Sequence, residues 1–142
     1  MIHVICGAPC AGKTTYVKEH AKKGEIIVDA DRIAEAIGSG TEHNASGECW
    51  DAALKLRESL IEYAKSSSGE SWIIHTKPNK RQIEEYKRIG ADIVVLDPGI
   101  DVCKKRAETR PEGTVREIEK WYGCEEKTTS QQFAEWFEIV NA

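Results

Sequence analysis

No stretch of the 142 residues reaches the ~18 apolar residues that a membrane-spanning helix requires. The first segment, MIHVICGAPCAGKTT, has a short apolar run with neither a basic region before it nor a cleavage pattern, so no secretory leader is expected. The five cysteines, Cys6, Cys10, Cys49, Cys103 and Cys124, contain no C-x-x-C pair, and the four scattered histidines supply no zinc spacing with them. Odd in number and scattered, they read as reduced thiols of a cytoplasmic protein. Positive charge is also scarce: 20 Lys and Arg stand against 24 Asp and Glu, a net charge of −4. No global field therefore draws in nucleic acid, and a polyanion would have to be held by a local patch. No internal repeat, low-complexity run or linker is present. The length fits one domain over residues 1–142, since domains typically run to roughly 100–200 residues. On that length neither a multidomain enzyme nor a ring-forming motor carrying its own accessory domain is expected.

Short apolar, β-branched runs at 2–6, 25–28, 72–75 and 92–96 are predicted strands. Helices are predicted over about 13–22, up to Ile37, 48–65, 80–89, 100–109 and 114–122. The 48–65 helix is amphipathic through Trp50, Leu54, Leu56, Leu60, Ile61 and Ala64, and a last one carries Phe133, Trp136, Phe137 and Val140. A polar loop of small residues, read as mobile, joins the helix ending near Gly38 to the next. Apolar strands alternating with helices predict an α/β fold. A three-layer α/β/α sandwich is expected, with a small, mostly parallel sheet of four to five strands.

Gly7-Ala8-Pro9-Cys10-Ala11-Gly12-Lys13-Thr14 fits G-x-x-x-x-G-K-[ST] at every fixed position. An apolar strand precedes it and a helix starts at Lys13, as the P-loop or Walker A motif requires. Consecutive backbone N–H groups must point inward around a phosphate, which calls for glycines at crowded positions. The helix N-terminus adds partial positive charge. Lys13 can reach the β- and γ-phosphates of ATP and Thr14 can ligate Mg²⁺. Thr15 is read as a capping or packing residue, and Cys10 as a small neutral one.

A GTPase needs N-K-x-D, and Asn79-Lys80-Arg81-Gln82 lacks the Asp. An ABC signature is absent. A compact phosphotransferase remains, and it needs an acceptor-activating acid, cations over the phosphoryl group and a lid. Asp29-Ala30-Asp31-Arg32 ends the second strand, on the sheet edge where ligands bind. Asp31 is the candidate base, a helix cap, or both. Asp29 is the candidate contact to a Mg²⁺-bound water, and Arg32 to an acceptor phosphate. Arg106 and Arg110 are i and i+4, so on one helix they would share a face and clamp a phosphate. Pro111 and Gly113 would then break a lid spanning about 104–116.

These segments resemble phage-type polynucleotide 5′-hydroxyl kinases and their small P-loop kinase relatives, including the zeta-toxin-like group. The resemblance runs from about 2 to 122 and rests on GAPCAGKTT, VDADRIAEAI and KKRAETRPEG. IIHTKPN and VVLDP support it more weakly. It implies that Lys13 and Thr14 hold ATP and Mg²⁺, that Asp31 is the general base, and that Arg106 and Arg110 stabilise the transferred phosphoryl. It also implies host cytoplasm, if a phage encodes the chain. Two positions depart from the pattern: His75 stands where an Asp is frequent, and Ala34 where an Arg is expected. His75 is read either as a strand-end residue with a local hydrogen bond or as a contact to acceptor or γ-phosphate. Asp97, after the fourth strand, is read as structural or near the lid.

Trp50, Trp121 and Tyr122 are core residues or stacking platforms for a base. Lys77, Lys80, Arg81, Lys87 and Arg88 could form a basic groove. The leading expectation is an ATP- and Mg²⁺-dependent kinase whose acceptor is a polynucleotide 5′-OH or a nucleotide-like molecule, bound by its end. A small-molecule kinase and a non-catalytic ATP-binding regulator are the alternatives. No membrane partner is expected.

Overall fold

Alternation along the strands sorts their side chains onto two faces of one sheet. A computed structural model describes residues 1–38, 47–123 and 129–142, without the side chains of 129–133. The polar loop at 39–46, Cys124 and the Phe133 side chain, each singled out above, lie outside the described residues. The elements run β1 (Ile2–Gly7), α1 (Lys13–His20), β2 (Ile26–Val28), α2 (Ala30–Ile37), α3 (Gly47–Ser66), β3 (Ser71–Ile74), α4 (Lys80–Arg88), β4 (Asp92–Leu96), α5 (Ile100–Arg106), α6 (Thr114–Trp121) and α7 (Thr129–Asn141). A 3₁₀ turn, Ala107–Thr109, follows α5.

Among the described residues the sheet has four strands, all parallel, in the order β2-β3-β1-β4. The register pairs Val4 with Ile73 on one side and with Ile93 on the other. On one face Val4, Cys6, Val28 and Ile73 pack with Ile61 of α3, Ile83 of α4, Cys103 of α5 and Ile118 of α6. On the opposite face Ile5 packs with Trp72 and with Val17 of α1. His3 stacks on Trp72 with ring centroids 4.1 Å apart. The fold is the expected α/β sandwich, with most of its helical mass on one side. Val4, Ile5, Ile73 and Ile83 are fully enclosed, and each such side chain contributes roughly 1.5–3 kcal/mol of burial.

Three expectations need correction. Leu56 belongs to no core face: it is 43% exposed, because the α3 stripe passes through Ala53, Arg57, Ile61 and Ala64. The helix after β4 stops at Arg106, so Arg106 and Arg110 do not share a helix face. The chain tightens into the 3₁₀ turn and leaves it extended at Arg110, with φ −102° and ψ 164°. The cap of α2 is Asp29, not Asp31. Its carboxylate accepts the Asp31 amide at 3.1 Å, since the helix begins at Ala30, two residues earlier than a cap at Asp31 requires.

Candidate active site

The carboxyl ends of the parallel strands converge on one cleft of about 1440 Å³. The loop after β1 forms its floor. A Cβ at Gly7 would stand 2.9 Å from the Leu96 carbonyl oxygen and 3.0 Å from the Ala11 Cβ, so the close approach to β4 demands glycine. Gly12 opens α1 at φ 97°, in the left-handed region that favours glycine. Cys10 also lies there, at φ 65°, an uncommon conformation for a residue with a Cβ. The Gly7 amide donates to the Thr76 carbonyl at 3.1 Å and ties the loop to the end of β3.

Lys13 Nζ donates to the Gly7 carbonyl at 2.7 Å and the Ala8 carbonyl at 2.8 Å. Burial brings its pKa down to about 8, against the opposing pull of Cys6, Asp29, Cys10 and Cys103. Pro9, Cys10, Ala11, Gly12, Lys13, Thr14 and Thr15 line the cleft, whereas Ala8 is buried behind it. Arg106 lies over the loop: its Nη1 donates to the Cys10 carbonyl at 3.1 Å. Arg110 and Pro111 line the cleft as well, so the two arginines reach one cavity from a helix end and an extended segment.

Asp29 and Asp31 both line the cleft, and Asp29 is only 4% exposed. Asp29 does local structural duty through the α2 cap, while Asp31 sits in the first helical turn. Arg32 is exposed and is not among the cleft residues, so the structure does not bring it to the site. Thr14, Asp29 and Asp31 are hard oxygen donors on one cleft, which suits Mg²⁺. That ion usually takes one or two protein ligands and completes its shell with phosphate oxygens and water. Among the described residues no group of three His, Cys, Asp or Glu side chains forms a closed metal cage.

His75 lines the cleft and has a local partner as well: its Nδ1 is 3.0 Å from the Tyr86 hydroxyl. Burial, reinforced by the Arg57 charge, pushes its pKa down to about 3. A histidine held neutral while the unfolded chain titrates near 6.5 stabilises the fold fully above that value. The unfolded chain binds more protons below it, so this stability is lost as pH falls from 6.5 toward 3. The loss is expected to be of the order of 2 kcal/mol after allowance for partial exposure. His75→Gln, compared with the parent by urea unfolding at pH 7 and pH 4.5, should show a shallower decline. Equal declines would remove His75 from that role.

The aromatic and basic candidates divide. Trp121 is a core residue, 3% exposed, and its Nε1 donates to the Thr76 carbonyl at 2.8 Å. Lys77 donates to the Trp121 carbonyl at 3.0 Å and lies 5.7 Å and 5.4 Å from the Trp121 and Trp136 ring centroids. Lys87 holds the end of α7 through the Ile139 and Ala142 carbonyls. Lys80, Arg81 and Arg88 are exposed on α4 and line no part of the cleft, so these cations do not combine into one groove there. Asp97 also stands outside the cleft, where it accepts the Tyr122 hydroxyl at 2.7 Å. Trp50, half-buried on α3, does line the cleft.

Among the cleft residues that escaped the sequence reading is Arg57, on α3, which is 9% exposed and lines the cavity. Its signal was its position: Trp50, Leu54, Arg57, Ile61 and Ala64 follow helical spacing, and Arg57 is the charged member of that otherwise apolar stripe.

The AAA domain family matches residues 2–121, and the chain belongs to that family. Its P-loop nucleotide-binding fold agrees with the four-stranded parallel sheet and the loop after β1. No curated protein matches the chain. Among the described residues no helix is long and apolar enough to cross a membrane.

Proposed function

We propose that this member of the AAA domain family is a kinase that transfers the γ-phosphoryl of ATP to a hydroxyl acceptor. The acceptor is a polynucleotide 5′-OH or a nucleotide-like molecule, as the resemblance to polynucleotide kinases implies. The observation that carries this reading is the cleft itself. Lys13 and Thr14 from the phosphate loop and the start of α1, Asp31 from the first turn of α2 and Arg106 from the end of α5 line one cavity.

In the mechanism the loop amides and Lys13 hold the ATP phosphates. Asp31 accepts the proton of the acceptor hydroxyl as its oxygen bonds to the γ-phosphorus. The bond from the γ-phosphorus to the bridging oxygen breaks, and ADP leaves with the electron pair. Arg106 and Arg110 hold charge on the transferred group and keep water from competing. Thr14 and the neighbouring carboxylates would hold Mg²⁺, whose charge offsets that of the phosphates. The reaction suits a reducing cytoplasm, where ATP is plentiful.

Arg106→Ala is expected to lower kcat by about 10²-fold or more, with a smaller change in the KM for ATP. Arg110→Ala should act in the same direction. Parental steady-state kinetics in both variants would remove the lid role.

The function itself is tested with γ-labelled ATP, Mg²⁺ and a panel of 5′-OH DNA, 5′-OH RNA, nucleosides and sugars. Label on a 5′-OH end is expected. Intact ATP binding with label on no acceptor would support a regulator and overturn the kinase reading. A small-molecule acceptor is the second reading. It is favoured by Ala34, where the resemblance calls for Arg, and by the position of the α4 cations away from the cleft. Turnover on an oligonucleotide that falls steeply with salt would count against it.

A further inference from the structure

Neither the phosphate loop nor the candidate base nor the lid arginines account for Arg57. Trp50, Leu54 and Arg57, spaced i, i+4 and i+7, present one face of α3 to the cleft. The Arg57 Nη2 is sealed from solvent and has no hydrogen-bond partner among the described residues. Ser71 Oγ is the other such atom, but Ser71 lies in β3 and lines no part of the cleft. The Arg57 Nη1 is 3.9 Å from Oε1 of Glu58, beyond hydrogen-bond reach, and the Glu58 side chain is 66% exposed. An exposed carboxylate at that range compensates little of a buried charge.

Two groups whose protonation the Arg57 charge affects, His75 and Tyr86, supply no anion. His75 is neutral there, because burial and the Arg57 charge both oppose its protonation. Burial pushes the Tyr86 phenol up to about 12, so it keeps its proton. His75 and Tyr86 are already bonded to each other at 3.0 Å. A guanidinium withdrawn from water without a paired anion is costly. Its planar fork of donors matches a phosphate or a carboxylate, and the cavity it lines is the one proposed for phosphoryl transfer.

We propose that Arg57 binds a phosphate ester carried by the phosphoryl acceptor, so that the substrate is a hydroxyl compound already bearing a phosphate group. This rests on the kinase reading of the same cleft and narrows its substrate class. The phosphate can belong to an internal phosphodiester of a nucleic-acid strand or to the monoester of a small molecule. The shared chemistry is the ester oxyanion.

The test reads binding rather than transfer. The full chain is loaded with Mg²⁺ and a non-hydrolysable ATP analogue, so that the probes cannot enter the ATP site. Adenosine, adenosine 3′-monophosphate, a 5′-OH dinucleotide and ribose 5-phosphate are then titrated by calorimetry. At least one phosphate-bearing probe should bind about tenfold or more tightly than adenosine, and Arg57→Met should abolish that preference. Tightest binding by the dinucleotide assigns the phosphate to a strand, and tightest binding by ribose 5-phosphate assigns it to a small molecule. Arg57→Lys should retain only part of the preference, because it keeps the charge but loses the fork.

Arg57→Met should melt no lower than the parent and bind the ATP analogue equally well, since the carboxylate in ion-pair range among the described residues, Glu58 at 3.9 Å, is largely exposed and compensates little. A lower melting temperature together with an unchanged probe preference would make Arg57 a residue of the fold and overturn the inference. So would a parent that binds every phosphate probe no better than adenosine. If Arg57→Met does not fold, Arg57→Lys decides: an unchanged preference overturns the proposal. Phosphate preference lost in Arg57→Met, with no label transferred to any acceptor, would sink the kinase reading alone. Transfer by the parent and by Arg57→Met at equal rates would sink this inference alone.

Discussion

Lys13→Met is expected to reduce turnover of ATP by about 10²–10³-fold while the chain stays folded. The ammonium is held by the carbonyls of Gly7 and Ala8 inside the phosphate loop. Methionine fills similar space and delivers no charge to the phosphates. Burial has already lowered the lysine pKa to about 8, so the charged form is disfavoured by the fold. Between that value and the ordinary 10.5 the unfolded chain binds the extra proton, and stability from this group rises with pH. At pH 7 the charge is therefore a burden on the fold, and Lys13→Met should hold or raise the melting temperature while ATP affinity falls. In the parent, ATP affinity should decline as pH climbs past 8, and binding near that pH should take up a proton. Calorimetry in buffers of different ionisation heat reads that proton directly. Parental turnover in Lys13→Met would remove the lysine from the reaction.

Asp31→Asn is expected to lower kcat by about 10²–10⁴-fold with ATP affinity retained. The amide copies the shape of the carboxylate and cannot accept the proton. The helix start makes this a clean test. Asp29 caps α2 by accepting the Asp31 backbone amide, and that donor survives the substitution. Asp29→Ala, in contrast, should cost the fold about 1 kcal/mol through the lost cap. Single-turnover transfer from labelled ATP, with ATP binding measured in parallel, separates the two effects. Full activity in Asp31→Asn would end the general-base assignment.

What could be read from the chain alone was local. The phosphate loop was legible because its spacing is a rule about backbone: glycine where a Cβ would strike Leu96, glycine where α1 must open left-handed, and Lys at the first helical position. The four strands were legible as β-branched runs, and their parallel direction followed from the helices between them, while their order β2-β3-β1-β4 did not. Asp29 and Asp31 were legible as a pair at a strand end, but not their division of labour. The cap was decided by where the helix began, two residues earlier than a cap at Asp31 requires, and no propensity distinguishes Ala30 from Arg32 that finely. The arginine clamp failed as helix geometry for a similar reason. Whether helix hydrogen bonding continues past Arg106 depends on how the chain turns over the loop, where that side chain meets the Cys10 carbonyl.

Residues far apart in sequence belonged to the tertiary structure. Arg57 and Leu56 are adjacent, yet one is buried and the other exposed. Helical spacing allowed either to join the core stripe, and only the packing of α3 against the sheet and α2 settled which did. Lys77 looked like part of a basic run until Trp121 and Trp136 closed around it. The sequence by itself determined the α/β class, the phosphate-binding loop and the chemistry available at each strand end, because these rest on steric and hydrogen-bonding rules between near neighbours. The tertiary structure alone decided which side chains share the cleft and which guanidinium nitrogen lies buried there without a hydrogen-bond partner among the described residues. Burial and distance are properties of the packed whole.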